Sequence, residues 1–343
     1  MRKLFTLLFF VSTLVSLYGQ AGKGVYQFLN LPVDARSVGF GGINVSTKDG
    51  DINLGLNNPA LLDSVGHNML SLNYSNYLAG INYGSVAYGR TFKSKNHWAV
   101  GISYLDYGKT DSYDETDVYQ GDFSMKDIVI NLAYNRTLNK YFSAGAIIKP
   151  LYSAYERYTS AGIGFDFGLS YHNDSIQLDL GLAVKNAGWQ FNGYYSENDK
   201  EHREPLPWNI LFGISKRFKH APIRLSLTLH NLQTWNLYYE RSSELEKEYQ
   251  KPLNIKWYDM LFRHTIISAE IIPIKNFFLV VSFNCRRRAE MAVPDFKSLA
   301  GFSFGAGIKI RQFNAGFALT SYQKGVLSYN FTVSTNFSEF GLK

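Results

Sequence analysis

The stretch IQLDLGLAVK, Ile176 to Lys185, decides the fold. Ile176, Leu178, Leu180 and Leu182 share one parity, and Gln177, Asp179, Gly181 and Ala183 share the other. A period of two is that of a β-strand, whose successive side chains point to opposite faces. IRLSLTLHNL repeats the design from Ile223, with Leu225, Leu227 and Leu229 opposite Ser226 and Thr228. One face wants hydrocarbon and the other small or polar groups. That is the pattern of a strand between lipid and a polar interior.

Working outward, the same period marks fourteen segments between about residue 69 and about residue 337, most of them near the ~9 to 11 residues that a tilted membrane strand needs. An even number suits a closed single-chain barrel. The links alternate in length. Short ones such as Lys93–His97, Lys219–Pro222 and Pro273–Asn276 fall on one rim. Long polar ones, Thr110–Asp122, Asn186–Pro207, Gln233–Arg263 and Arg286–Ala300, fall on the other. The expected fold is an all-β, 14-stranded antiparallel transmembrane outer-membrane barrel over residues 67–343. Its amino terminus would be periplasmic and its long loops extracellular. A soluble two-sheet protein or a soluble barrel is the competing fold, but fourteen strands in one closed soluble meander would enclose an interior that these small residues fill poorly. Tyr74, Tyr83, Trp98, Tyr104, Tyr107, Tyr155 and Trp189 near strand ends predict aromatic girdles at the two interfaces.

The 343 residues include 25 Phe, 24 Tyr and 29 Gly against 9 Pro and 1 Cys, which excludes disordered, collagen-like and disulfide-stapled classes. A mean hydropathy of -0.17 is compatible with a barrel in which only alternate residues meet lipid. Residues 1–19, MRKLFTLLFFVSTLVSLYG, place Arg2 and Lys3 before a short apolar run and read as a secretory signal peptide rather than a spanning anchor. The net charge of +7 is spread along the chain and demands no nucleic acid.

Residues 20–66 break the strand pattern and predict a hatch or plug in the lumen, with a periplasmic extension as the alternative. In NNPALLD, Asn57 or Asn58 caps a short helix with Pro59 at its first position. Asp166, Asp179 and Lys309 are candidates for polar pairing in the lumen. The seven His residues have no metal-ligand spacing, and no nucleophile elbow, phosphate-binding loop or CxxC occurs, so the chain is expected not to be an enzyme and to hold no cofactor or metal. The acidic loop TDSYDETD (Asp111, Asp114, Glu115, Asp117) lacks the regular spacing of a calcium site and reads as solvated. Cys285 reads as apolar filler.

YQFLNLPVDARSVGFGGINVS (Tyr26 to Ser46), LNNPALLD (Leu56 to Asp63), SLNYSNYLAGINYGSVAYGR (Ser71 to Arg90) and GISYLDYGK (Gly101 to Lys109) together resemble the PorQ family. These are outer-membrane components of the type IX secretion system of Bacteroidota and are similar to the FadL-like long-chain fatty-acid transporter barrels. The resemblance implies fourteen strands, an amino-terminal hatch and a hatch motif at Asn58, Pro59 and Ala60. It also implies a non-enzymatic role in the attachment complex, anchoring a PorZ-like surface protein alongside PorU and PorV.

On that reading the long loops form the working surface. Loop Gln233–Arg263 offers Trp235, Tyr238, Tyr239, Arg241, Trp257 and Tyr258 as partner contacts, because aromatic and Arg anchors within a polar rim suit a protein interface. A solvated loop is the bland alternative. Arg286, Arg287 and Arg288 are candidate contacts to lipopolysaccharide, since guanidinium groups bind phosphate and carboxylate bidentately. A basic solvated loop is again the alternative. Transport of hydrophobic compounds past the hatch is the second functional reading, and bound lipopolysaccharide or detergent would be the only non-protein component.

Overall fold

In this computed structural model, the structure describes residues 24–341 except 79, 195, 198–199, 238–255, 275, 292–297 and 324. The leader and Tyr238, Tyr239 and Arg241 lie outside the described residues. Strands β1 (Met69–Asn76), β2 (Asn82–Phe92), β3 (Asn96–Tyr113), β4 (Tyr119–Thr137), β5 (Phe142–Tyr155), β6 (Tyr158–Asn173) and β7 (Leu178–Asn192) form the first half of a barrel. A small hairpin, β8 (Ser196–Glu197) and β9 (Lys200–Glu201), stands apart from it. The second half is β10 (Asn209–Arg217), β11 (Ile223–Leu229), β12 (Thr265–Ile274), β13 (Phe277–Asn284), β14 (Phe302–Ile310), β15 (Phe313–Gln323) and β16 (Val326–Asn336). Fourteen strands close the ring antiparallel, β1 pairing β16 from Met69↔Asn336 to Asn76↔Tyr329.

Parity works as the sequence predicts. In β7 Asp179, Gly181 and Ala183 are buried on the lumen side while Leu182 is exposed on the outer wall; in β11 Arg224, Ser226 and Thr228 are buried opposite an exposed Leu225. Such an outer wall, apolar at alternate positions round a closed ring, is that of an outer-membrane barrel.

Two expectations are corrected by strand register. Thr110–Asp122 is not a loop: β3 and β4 stay paired to Tyr113↔Tyr119, and the chain turns over residues 114–118. Asp114 organises that turn by accepting from the backbone N–H of Thr116 (2.9 Å) and Val118 (3.0 Å). Nor do all the strand-end aromatics join a girdle. Tyr74, Trp98, Tyr104 and Trp189 are exposed on the outer wall, whereas Tyr83 is buried and the Tyr107 and Tyr155 hydroxyls donate to the buried Asp127 carboxylate (2.6 and 2.9 Å).

The segment preceding β1 packs against inward-facing residues around the ring. It contains α1 (Ala35–Gly39), capped by Asp34, and α2 (Ile52–Asn57), capped by Asp51. A 3₁₀ turn over Pro59–Leu61 is capped by Asn58. Helices this short do not persist alone, so their order comes from packing. Phe28 and Leu29 meet Tyr83, Leu105, Val129 and Leu151; Ile52 and Leu62 meet Ala87, Ala133 and Ile147; Val45 meets Ala183 and Leu211. Small inward residues admit this backbone: a Cβ on Gly181 would overlap the Val45 carbonyl, and one on Gly168 would overlap Asn58 Oδ1. Two further helices, α3 (Trp257–Arg263) and α4 (Cys285–Met291), lie in the long links after β11 and β13, with Cys285 half-buried at the first position of α4.

Candidate functional site

A cavity of about 320 Å³ lies between the amino-terminal segment and the long-link rim. Leu29, Leu31, Pro32 and Ile43 of the segment form one side, Leu206, Pro207 and Trp208 a second, and His230, Arg287 and Tyr322 a third. A smaller cavity of about 60 Å³ reaches the wall at Tyr83, Ser103, Val129 and Lys149. The two cavities share Leu29, Leu31, Pro32, Asn57 and Lys185, so one set of side chains separates them. The first cavity mixes these apolar side chains with polar and charged ones, among them Gln27, Asn209, Asn284, Arg286 and Glu290.

The charges near these cavities are unevenly matched. Lys149 pairs with Asp166 (2.6 Å), but Lys185, also buried, donates only to the Asn57 amide (3.2 Å) and meets no carboxylate within 4.0 Å among the described residues. Arg287 donates to Ser303 Oγ and to the Gly41 carbonyl, with its guanidinium 4.7 Å from the Tyr322 ring centroid. Burial pushes the His230 imidazole down to about 4, leaving it neutral at neutral pH.

On the far side of the segment five charged groups tie it to β11 and β12. Arg36 bonds Asp49 (2.5 Å), Asp51 (3.4 Å) and the fully buried Glu270 (3.0 Å). Arg224 bonds Asp49 (2.9 Å) and Glu270 (2.7 Å). Burial pushes the Asp49 carboxyl up, but the two guanidinium groups outweigh it and hold it well below the usual carboxylate range. Asp34 caps α1 by accepting from Ser37 N–H (2.8 Å), and that bond and the more distant Arg36 charge compensate it only in part. Burial, then the nearby Asp51 charge, push its carboxyl up to about 6.

The sign of this shift gives a test. With the folded value above the ordinary 3.8, stability from Asp34 is fully present below about 4 and is lost as pH rises through about 6. Amide exchange at Ser37 to Phe40, corrected for intrinsic rate, is therefore expected to speed up between about pH 4 and about pH 7. Asp34→Asn keeps a capping oxygen and should flatten the rise; an unchanged slope in that variant would refute the assignment.

Asn58, Pro59 and Ala60 come together against β6. Asn58 Oδ1 accepts from Ala60 N–H (3.1 Å), its Nδ2 donates to the Val45 carbonyl (2.7 Å), and Ser170 Oγ donates to the Ala60 carbonyl (2.9 Å). Trp235 is exposed and stacks on His264 at 5.4 Å. Trp257 is exposed at the start of α3, edge-on to Tyr258. The three arginines of α4 turn onto the chain itself: Arg286 to Glu290 (2.6 Å), Arg287 as above, and Arg288 to the Ser298 carbonyl (2.7 Å). Of the expected lumenal charges, Asp166 is paired as described and Asp179 meets His172 (2.5 Å), but Lys309 bonds Glu339 at the rim.

Sequence reasoning did not single out Lys185, Arg36, Asp49, Arg224 or Glu270. Parity held the signal for three of them: Lys185 shares a face with Asp179, Gly181 and Ala183, Arg224 with Ser226 and Thr228, and Glu270 with Ser268, so all three were due in the lumen.

No family model matches the chain, and no curated protein is similar to it in sequence. Solved structures share its fold. The Ralstonia pickettii toluene transporter TbuX superposes with a TM-score of 0.52 at 11% identity, covering 90% of this chain and 99% of that one. The Pseudomonas putida toluene transporter TodX gives 0.51 at 12% identity, over 89% and 96% of the two chains. A mutant of the TodX monoaromatic hydrocarbon channel gives 0.53 at 12%, over 89% and 99%. These transporters and this channel share a fold with the chain.

They overturn the expected place in the PorQ family and, with it, the anchoring role in a type IX attachment complex. The misreading has a physical source. Asn58 as a cap, Pro59 at a helix start and Gly opposite the backbone are what any segment packed against a strand wall needs, so these motifs report architecture and not a secretion branch.

Proposed function

We propose that this protein carries hydrophobic compounds across the outer membrane, in the manner of FadL-like barrels, with residues 24–66 acting as a hatch. The observation that carries the reading is the pair of cavities divided by Leu29, Leu31, Pro32, Asn57 and Lys185. A compound entering at the long-link rim meets Leu206, Trp208 and Met291 interleaved with Arg286, Arg287 and Glu290, and then the segment itself. The long-link rim faces outward and the short-turn rim the periplasm. Passage needs only a shift of this divider, because each short helix of the segment is held by packing rather than by its own stability.

Leu31 lines both cavities, so Leu31→Trp is expected to block passage with little effect on the ring of strands. Uptake of radiolabelled toluene by cells at limiting concentration measures it. Undiminished uptake by a correctly folded Leu31→Trp variant would contradict the route.

A further inference from the structure

The outer wall at the short-turn ends of β2, β3 and β4 carries a second feature unrelated to the lumen. Strand register stacks three cross-strand rows there. Tyr88, Val100 and Leu132 form the row nearest the middle of the wall; Arg90, Trp98 and Tyr134 form the next; Phe92, Asn96 and Arg136 form the last. All share the outward parity, as the buried Ala99 and Ala133 beside them on the lumen side show. Beyond the last row Lys93 and Ser94, both at positive φ (51° and 52°), make the tight turn that displays Lys93 and Lys95 to solvent.

Over four residues along the strands, about 13 Å, the wall thus passes from apolar to aromatic to cationic. Trp98 lies 4.6 Å from the Tyr134 ring, whose hydroxyl donates to Asn96 Oδ1 (2.8 Å), so the aromatic row is held in place. Trp98 is nonetheless 50% exposed. Neither Arg90 nor Arg136 has a carboxylate within 4.0 Å among the described residues. Arg90 sits over the Phe92 ring at 5.7 Å. Two guanidinium groups without a carboxylate partner, at the turn end of a lipid-facing wall, offer charge-assisted donors at the level where charged headgroups lie.

We propose that this face binds an anionic phospholipid. The phosphate is held between Arg90 and Arg136 with Lys93 and Lys95 at its edge, the glycerol lies on Trp98 and Tyr134, and an acyl chain runs along Tyr88, Val100 and Leu132. Guanidinium suits phosphate because its donors form a planar fork. The site rests on the barrel's place in a membrane and is independent of the transport reading.

Native mass spectrometry of the full-length protein in mild detergent tests it, titrating phosphatidylglycerol or phosphatidylcholine of identical acyl chains. Wild type is expected to prefer phosphatidylglycerol by about tenfold or more, the size of one to two charge-assisted hydrogen bonds. R90Q/R136Q is expected to bring the two lipids level while the barrel keeps its heat-modifiable gel mobility. K93Q/K95Q, altered only in the turn, should weaken the preference in part, and it decides the matter if the arginine variant does not close. Equal retention of both lipids by wild type, or a preference untouched in K93Q/K95Q and in a closed R90Q/R136Q barrel, would overturn the proposal.

Discussion

Replacing Arg36 with Ala is expected to release the amino-terminal segment from β12 and turn the barrel into a conducting pore. Arg36 is the group that joins Asp49 and Asp51 of the segment to the buried Glu270 of the wall. Removing it leaves three carboxylates facing Arg224 alone, and breaking a buried charge network from one side costs about 3–5 kcal/mol. Arg36 also lies over the Phe40 and Phe278 rings (5.7 and 5.0 Å), at the edge of the apolar cluster of Phe40, Leu54, Leu61 and Val280, so its removal takes away packing there as well. Single-channel recording in planar bilayers is expected to show larger and noisier conductance than wild type. Limited proteolysis should cut within residues 35–57. The double variant R36M/E270M removes one charge of each sign and should be milder. Wild-type conductance and proteolysis in Arg36→Ala would mean that the ion cluster does not hold the segment.

The second large effect is expected from Gly181→Val in β7. The obstacle there is the Val45 carbonyl, a backbone atom that no side-chain rotation removes, with Ser46 Cα 3.0 Å from the added Cβ. Overpacking of this kind costs about 1–3 kcal/mol even where side chains can yield, and more against backbone. The closed ring is the more rigid partner, because each strand is paired on both sides. The segment should therefore move. Amide exchange of Asn44 to Thr47 is expected to lose its protection while the strands keep theirs. Gly164→Ala serves as the control, since its nearest neighbours, Leu206 Cδ2 and Lys149 Cβ, stand at 3.6 Å, an ordinary contact. Equal behaviour of the two variants would show that the close approach of Val45 to β7 is not a packing constraint.

The strands were legible because one rule, alternate burial on a wall between lipid and lumen, repeats in every segment. Ile176 to Ala183 displays it without interruption, and the structure keeps that parity from Leu178, with Ile176 and Gln177 in the turn before the strand. Link lengths were less legible. Thr110–Asp122 is as polar as a loop, yet backbone pairing continues there because both faces of a projecting hairpin are wet and composition carries no period. Aromatic residues misled for a related reason: Tyr83 and Tyr104 look alike by position near a strand end, but their parities differ, and only one meets lipid.

The site was harder to read. Lys185 ends the informative stretch at Ile176 to Lys185 and falls on the lumen parity. Its importance, though, comes from cavities formed by Leu31 and Leu206, which are distant in sequence. Arg36, Asp49 and Glu270 become one cluster only after the segment folds back against β12. The Asn58 cap was readable, because capping is local. Its meaning was not, since the same local chemistry serves any segment that fills a barrel.

Passage of hydrophobic compounds through the divided lumen is measured most directly as the initial rate of labelled toluene entry at limiting concentration. Cells producing the protein are compared with otherwise identical cells lacking it, and glucose uptake serves as the control for general leakiness. Faster toluene entry is expected only in the producing cells, with unchanged glucose entry and loss of the gain in Leu31→Trp. Toluene entry equal in both strains, with the barrel present and folded in the outer membrane, would contradict it.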